Sequence, residues 1–170
     1  MIELVGYHGT IKTNAEEILR TKFFKASIKN NEWLGKGIYF FTDKKWAIWW
    51  AEQQANRRKE EMSILKVKIS CEEKYYFDLY EEKNFEKANK EFLNLMNYFN
   101  KHTHMKDSEK QCALCEFYRR KYNIKIISYL FFKEVNWKYK KSGGFSRYEK
   151  QQQLSVFDNN CISEISLLKD

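Results

Sequence analysis

Two short segments decide the fold: Tyr7-His8-Gly9-Thr10, and Gly35-Lys36-Gly37-Ile38-Tyr39-Phe40-Phe41 about 25 residues further on. Residues 2–8 mix β-branched, aromatic and apolar side chains, which predicts a strand that ends at Gly9. The second segment predicts a strand that glycines punctuate. The chain contains 6 Gly and no Pro, so we expect its glycines where the backbone geometry requires them.

A helix is predicted after each of these strands. Thr13 and Glu16 have the spacing of a capping box, which predicts the start of the first helix. Thr42 or Asp43 is expected to cap a second, longer helix over residues 44–60. The pattern is therefore strand, helix, strand, helix within the first third of the chain.

The rest of the chain continues the same mixture. A capping-box spacing at Ser108 and Gln111 predicts a helix that runs to Tyr122. The other predicted elements are strands at 63–70, 75–80, 124–132, 151–157 and 161–168, a helix at 84–100, and a basic, aromatic loop at 133–150. We find no internal repeat or linker, so the sequence predicts one α/β (α+β) domain over residues 1–170.

Composition narrows the functional classes. The 170 residues are 43% hydrophobic and 17% aromatic, which excludes a disordered or collagen-like chain. The formal net charge of +8 favours an anionic partner. The alternative is that the positive charge only keeps the protein in solution. The start of the chain lacks a signal-like apolar run, and we expect a cytoplasmic protein with no membrane partner. The four cysteines are expected to be thiols in the core.

The two opening segments, together with Gln153-Leu154-Ser155-Val156-Phe157-Asp158, resemble the ADP-ribosyltransferase superfamily. The closest resemblance is to its H-Y-E branch, which includes the poly(ADP-ribose) polymerases. It covers about residues 4–51 and 150–168. The resemblance implies the ADP-ribosyltransferase fold, in which two packed, mostly antiparallel sheets form an NAD cleft and helices flank them. It implies NAD as the substrate, and no metal is expected.

The resemblance also implies roles for residues along the cleft. His8 would contact a ribose hydroxyl of the adenosine half of NAD, although a histidine satisfied at a strand end is the structural alternative. The backbone of Gly9 would bind the nicotinamide carboxamide, and the ring of Tyr39 would stack on nicotinamide. Trp49 either covers the other face of the ring or belongs to the core. The NAD-binding set is His8, Gly9, Thr10, Gly37, Tyr39 and Trp49.

Two residues depart from the family pattern. Gln153 stands where the family has its catalytic Glu, so it keeps a hydrogen bond but offers neither a charge nor a base. Glu149 is the nearest candidate for a compensating carboxylate, or else a solvated loop charge. Trp46 replaces the family's small hydroxyl residue, and Thr42 is a weak substitute. These differences favour mono-ADP-ribosylation or NAD hydrolysis over chain elongation.

The predicted loop that precedes Gln153 corresponds to the family's acceptor-recognition loop. Cations interleaved with aromatic rings are typical of single-stranded nucleic acid binding, so RNA or DNA is the favoured acceptor and an acidic protein is the alternative. The expected acceptor-binding residues are Lys138, Lys140, Lys141, Phe145, Arg147 and Tyr148. By analogy, the chain fits a toxin of a toxin–antitoxin or phage-defence system, with a separate antitoxin protein as partner.

Two other classes stay open. A catalytically silent module could use the NAD or ADP-ribose pocket, or its basic loop, for binding alone, and Gln153 is the best support for this reading. A zinc site could form from His102, His104, Cys112 and Cys115, because two cysteines at i and i+3 share a helix face and two histidines lie shortly before them.

Overall fold

The computed structural model describes residues 1–29, 32–98, 105–135 and 146–168. The predicted mixture of helices and strands is confirmed. The strands are β1 (Ile2–Ile11), β2 (Ile38–Phe41), β3 (Met62–Cys71), β4 (Tyr76–Asp78), β5 (Ile126–Val135), β6 (Arg147–Val156) and β7 (Ile162–Leu167). The α-helices are α1 (Lys12–Thr21), α2 (Lys44–Arg58), α3 (Glu82–Tyr98) and α4 (Asp107–Tyr122).

The seven strands form one sheet in the order β4-β5-β6-β2-β1-β3-β7. The β4–β5 pair is parallel and the other pairs are antiparallel. β1 pairs with β3 along its whole length, but its register with β2 consists of the pair Tyr7↔Phe41. One sheet with a narrow junction therefore replaces the two separate sheets that we expected. The junction divides it into a half with β4-β5-β6-β2 and a half with β1-β3-β7.

Side-chain alternation assigns the core to the two faces of this sheet. On one face, α1 covers a cluster that includes Phe24, Phe40 and Leu154. On the other face, α3 and α4 cover the β4-β5-β6-β2 half, and α2 packs on β1 and the end of β2 through Ala47 and Ala51. The two helical layers on this second face flank the junction between β1 and β2.

The helix caps differ from the predicted ones in two of three cases. Asp43 caps α2, because its carboxylate accepts a hydrogen bond from the Lys45 backbone N–H at 2.9 Å. The Thr13 capping box is wrong, since β1 runs directly into α1 and the helix begins before Thr13. The box at Ser108 is also wrong: α4 begins two residues earlier, and the Lys106 N–H donates to the Glu109 carboxylate at 2.8 Å.

The predicted loop over residues 133–150 is shorter in the structure. Cross-strand pairing extends β5 to Val135 and begins β6 at Arg147, with Lys133 opposite Glu149 and Glu134 opposite Tyr148. Opposite charges across an antiparallel pair stabilise it, which a reading of the loop by composition alone overlooks. Residues 136–145 lie outside the described residues. In the described ranges, no helix has both the length and the apolar character needed to cross a bilayer.

Candidate functional site

The junction between β1 and β2 brings the two opening segments of the sequence together. His8 Nδ1 donates a hydrogen bond to the Tyr39 carbonyl oxygen at 2.8 Å, so a side chain bridges the strands next to the Tyr7↔Phe41 pair. Backbone groups two residues apart on a strand face the same edge. The Gly9 N–H and C=O therefore face the same side of β1 as those of Tyr7, toward the gap that opens between the strands.

The environment of His8 favours the neutral imidazole. Its ring lies against Phe24 and Phe40, at centroid distances of 5.3 and 5.6 Å. Burial lowers the pKa of the imidazole, and the hydrogen bond to the Tyr39 carbonyl partly offsets this. Because a carbonyl only accepts, the proton resides on Nδ1 and leaves Nε2 as an acceptor. His8 can therefore accept a hydrogen bond from a hydroxyl group.

Tyr39 anchors the turn that precedes β2. Its hydroxyl donates to the Gly35 carbonyl at 2.8 Å and accepts from the Leu34 N–H at 2.9 Å. Burial raises the pKa of this hydroxyl well above its ordinary value, so it stays protonated. Gly35 has a φ of 83°, which glycine adopts without strain. The hydroxyl is therefore occupied, and the half-buried ring is the part of Tyr39 that can contact a ligand.

The glycines serve close packing, which the sequence reasoning did not foresee. A Cβ at Gly9 would lie 2.0 Å from the Ala47 carbonyl oxygen of α2, so the space beside this glycine holds helix backbone rather than a ligand. A Cβ at Gly37 would lie 2.2 Å from the Ser155 hydroxyl oxygen. Thr10 is buried and its hydroxyl accepts from the Asn14 side-chain amide at 3.3 Å. Of these residues, Gly9 alone offers its backbone to the gap.

Gln153 lies in β6 beside Phe41, on the face of the sheet that α2, α3 and α4 cover. Its Nε2 donates to the Oε1 of Gln151 at 2.8 Å. Gln151 is only 4% exposed, and its own Nε2 has no hydrogen-bond partner. A buried donor without a partner costs about 1–3 kcal/mol, so the Gln151 amide lowers the free energy of unfolding. Gln151 was not predicted as a site residue, although its i, i+2 spacing from Gln153 places both on one strand face.

Glu149 lies apart from Gln153 and is engaged in ion pairs. It is a strand residue, four positions from Gln153, which corresponds to about 13 Å along β6. Its carboxylate pairs with Lys45 at 2.6 Å and with Arg147 at 2.9 Å. The hydrogen bond from Lys45 holds the pKa of Glu149 below its usual range. The ion pairs also correct the reading of Glu149 as a solvated loop charge.

The tryptophans of α2 divide between core and surface. Trp46 is buried, and its indole N–H donates to the Lys150 carbonyl at 2.9 Å. Trp49 is half-buried, and the Lys133 ammonium lies 4.2 Å from its ring centroid. Thr42 is also engaged, through a hydrogen bond from its hydroxyl to the Gln152 Oε1 at 3.2 Å. A ligand that uses the outer face of Trp49 has to displace Lys133.

The predicted acceptor residues are described only in part. Lys138, Lys140, Lys141 and Phe145 lie outside the described residues. Arg147 and Tyr148 begin β6, and Tyr148 is 60% exposed. Both therefore lie on a strand rather than in a loop.

The alternative zinc site gains no support. Cys112 and Cys115 are buried in α4, and burial raises the pKa of both thiols, which disfavours the thiolate that binds zinc. His102 and His104 lie outside the described residues. Among the residues that the structure describes, no three His, Cys, Asp or Glu side chains form a cluster suited to a metal ion.

A cavity of about 830 Å³ lies elsewhere, between α4 and Lys36. Cys112, Glu116 and Arg120 are among its lining residues, whereas His8, Tyr39 and Gln153 are not. The residues of the sequence-predicted site lie instead at the junction of the two half-sheets.

Comparison with known proteins gives one partial match. Over 82 residues the chain is 39% identical to the uncharacterized protein MJ0359 of Methanocaldococcus jannaschii, and the match covers 46% of the chain. The chain spans 38% of the length of that relative. No family model matches the chain. No solved structure matches it either.

Proposed function

We propose that this chain is an NAD-dependent mono-ADP-ribosyltransferase that holds the nicotinamide end of NAD at the junction of β1 and β2. The observation that carries the proposal is the hydrogen bond of 2.8 Å between His8 Nδ1 and the Tyr39 carbonyl, next to a junction reduced to the Tyr7↔Phe41 pair. It brings together the His-Gly-Thr and Ile-Tyr-Phe segments on which the resemblance rests, and it leaves the Gly9 edge of β1 facing the gap.

Each residue at the junction has a chemical group suited to NAD. The Gly9 N–H and C=O can bind the nicotinamide carboxamide as a neighbouring strand would. The Tyr39 ring supplies a flat apolar face for the nicotinamide ring. Neutral His8 offers Nε2 to a ribose hydroxyl on the face of the sheet that carries Phe24 and Phe40. On the opposite face, the Gln153 side-chain carbonyl can accept from the hydroxyl of the other ribose.

In the proposed reaction, the bond between the ribose C1′ and the pyridinium nitrogen of NAD breaks, and its electron pair leaves with neutral nicotinamide. A lone pair of the acceptor forms the new bond at C1′, and the acceptor gives a proton to water. Positive charge develops on the ribose, as in glycoside cleavage. The junction would contribute mainly by orienting the ribose and excluding water.

Gln153 limits the chemistry that the site can perform. An amide does not stabilise the developing cation as a carboxylate does, and one such electrostatic contribution is worth about 3 kcal/mol in other enzymes. Glu149 does not replace it, because its carboxylate is paired with Lys45 and Arg147. Single transfer to a good nucleophile, or hydrolysis, therefore suits the site better than chain elongation. We favour nucleic acid as the acceptor because the net charge is +8.

A second candidate is a catalytically silent module that binds NAD or ADP-ribose. The observations that favour it are the amide at position 153 and the Lys133 ammonium, which lies 4.2 Å from the Trp49 ring. The two candidates differ in one measurable respect, since only the enzyme breaks the bond to nicotinamide.

The test is release of nicotinamide from NAD by the purified chain, with cell extract as a source of acceptors. The enzyme proposal predicts release by the wild type and by Tyr39→Phe, which keeps the ring, but not by Tyr39→Ala. Phe85→Ala is the matched control, because Phe85 is an exposed aromatic residue of α3, away from the junction. Tight binding of NAD without release of nicotinamide would support the silent module instead. If the chain neither binds NAD nor releases nicotinamide, both proposals are wrong.

A further inference from the structure

Four aromatic side chains form a connected array over β5. The Trp33 and Phe131 rings meet edge to face with centroids 6.3 Å apart, Phe131 and Tyr129 meet at 4.7 Å, and Tyr129 and Tyr80 at 6.1 Å. Trp33 and Tyr80 are each 47% exposed, and the other two are half-buried. We call these four residues the aromatic array. Trp33 and Tyr80 present their rings to solvent, whereas Tyr129 and Phe131 also pack against the core beneath α3 and α4.

The array lies beside Gln153, on the same face of the sheet. Tyr129 is the cross-strand partner of Gln153, and Phe131 is the partner of Gln151. Directly opposed residues on neighbouring strands project their side chains to the same face, about 5 Å apart. In the strand order β5-β6-β2-β1, Gly9 lies on one side of Gln153 and the array on the other. A group bound on the array therefore approaches Gln153 from the side opposite the junction.

Cations continue the same face beyond the array. Lys133 follows Phe131 at the i+2 position, and Lys45 and Arg147 both pair with Glu149, the cross-strand partner of Lys133. Two cations thus pair with the Glu149 carboxylate at this end of the array, and a third occupies the position opposite it on β5. The other end, near Tyr80, carries the acidic Glu81 and Glu82. An elongated anion with flat rings would therefore align in one direction, with its charges toward Lys133.

We propose that the aromatic array is a base-stacking subsite for single-stranded nucleic acid, with phosphates directed to the cations around Lys133. Stacking surfaces next to cations are what binding of single strands requires. As the subsite of an acceptor, this inference rests on the proposed function; as a binding surface, it can be tested without NAD. Placed here, a base lies next to Gln153, where the ribose of NAD would be held.

The experiment measures binding of a fluorescein-labelled 12-mer of uridine or thymidine by fluorescence anisotropy. Trp33→Ser and Tyr80→Ser are expected to weaken binding about tenfold each, since this is the usual effect of removing one stacked ring. The matched control is Phe132→Ser, because Phe132 is 55% exposed and neighbours Phe131 on β5 but projects to the opposite face. It is expected to bind like the wild type.

Three results would overturn the inference. One is unchanged binding by both array variants, which would mean that charge alone holds the strand. A second is an equal loss of oligonucleotide binding in Phe132→Ser, which would mean that binding is not confined to the face of the sheet that carries the aromatic array. The third is label transferred from NAD only to protein, and to the same extent in Trp33→Ser and the wild type. A different result separates the two proposals. If no nicotinamide is released but the oligonucleotide still binds and binding depends on Trp33, the proposed reaction is wrong and the binding surface is supported.

Discussion

The Tyr39→Phe substitution separates the structural role of the hydroxyl from the proposed role of the ring. It removes only the oxygen that accepts from the Leu34 N–H and donates to the Gly35 carbonyl. Leu34 is fully buried, so water does not reach its N–H once the acceptor is gone. An unsatisfied buried donor costs about 1–3 kcal/mol, and the carbonyl of Gly35 loses its donor as well. We therefore expect the free energy of unfolding to fall by about 2–3 kcal/mol.

Urea unfolding followed by circular dichroism measures this loss, with an unchanged dependence on urea concentration as a check that the unfolded state is the same. Tyr148→Phe is the control, because Tyr148 is 60% exposed on β6 and we expect its loss to stay below about 0.5 kcal/mol. Nicotinamide release by folded Tyr39→Phe should persist, since the ring is intact. A loss of stability no larger than that of the control would refute the assignment of the hydroxyl as the anchor of the turn.

Three further predictions concern the same region. Gly9→Ala should destabilise by about 3 kcal/mol or more, because the added Cβ would lie 2.0 Å from the Ala47 carbonyl oxygen. Gly6→Ala should cost less, about 1–2 kcal/mol, because its nearest contact is the movable Ile69 Cδ1 methyl at 2.5 Å and Phe40 lies at 3.1 Å. Equal losses in chemical denaturation would contradict the packing. His8 has a folded pKa below its ordinary 6.5, so the unfolded chain takes up a proton first, and stability should fall as the pH drops through 6.5. In His8→Gln, the part of this pH dependence of stability that comes from His8 should vanish. If the stability profiles of wild type and variant run parallel between about pH 5 and 7, His8 contributes nothing to the pH dependence. Gln151→Met should leave thermal stability equal or higher, since an unsatisfied buried amide is lost. The same variant should release nicotinamide more slowly because Gln153 loses its partner, and full activity would remove Gln151 from the site.

Local signals in the sequence were sufficient for most of the fold. The first strand, the helix capped by Asp43 and the glycine-punctuated strand that ends at Phe41 all follow from periodicity and turn chemistry within a few residues. The predicted end of the first strand at Gly9 was wrong, because β1 continues to Ile11. The ends of the other two helices were misplaced because Thr13 and Ser108 have the capping spacing, whereas the path of the chain starts each helix earlier. Helix ends depend on the element that precedes them, which no short window contains.

The candidate site was predictable only where the family resemblance connects its segments. His8 and Tyr39 were paired through the resemblance, and their hydrogen bond places them together. The partner of Gln153 and the ion pairs of Glu149 were not predicted, because they depend on the register between β5 and β6 and on the approach of α2. The aromatic array was missed for the same reason, since Trp33 and Phe131 are far apart in the chain.

The measurement that tests the account most directly is a titration of the ¹⁵N-labelled protein with nicotinamide, followed by amide chemical shifts. If the junction holds the nicotinamide end of NAD, the largest and saturable shifts occur at Gly9, with smaller ones at His8 and Tyr39. Shifts confined to residues that line the cavity beside α4, such as Cys112 and Glu116, or no saturable shifts at all, would contradict the central claim.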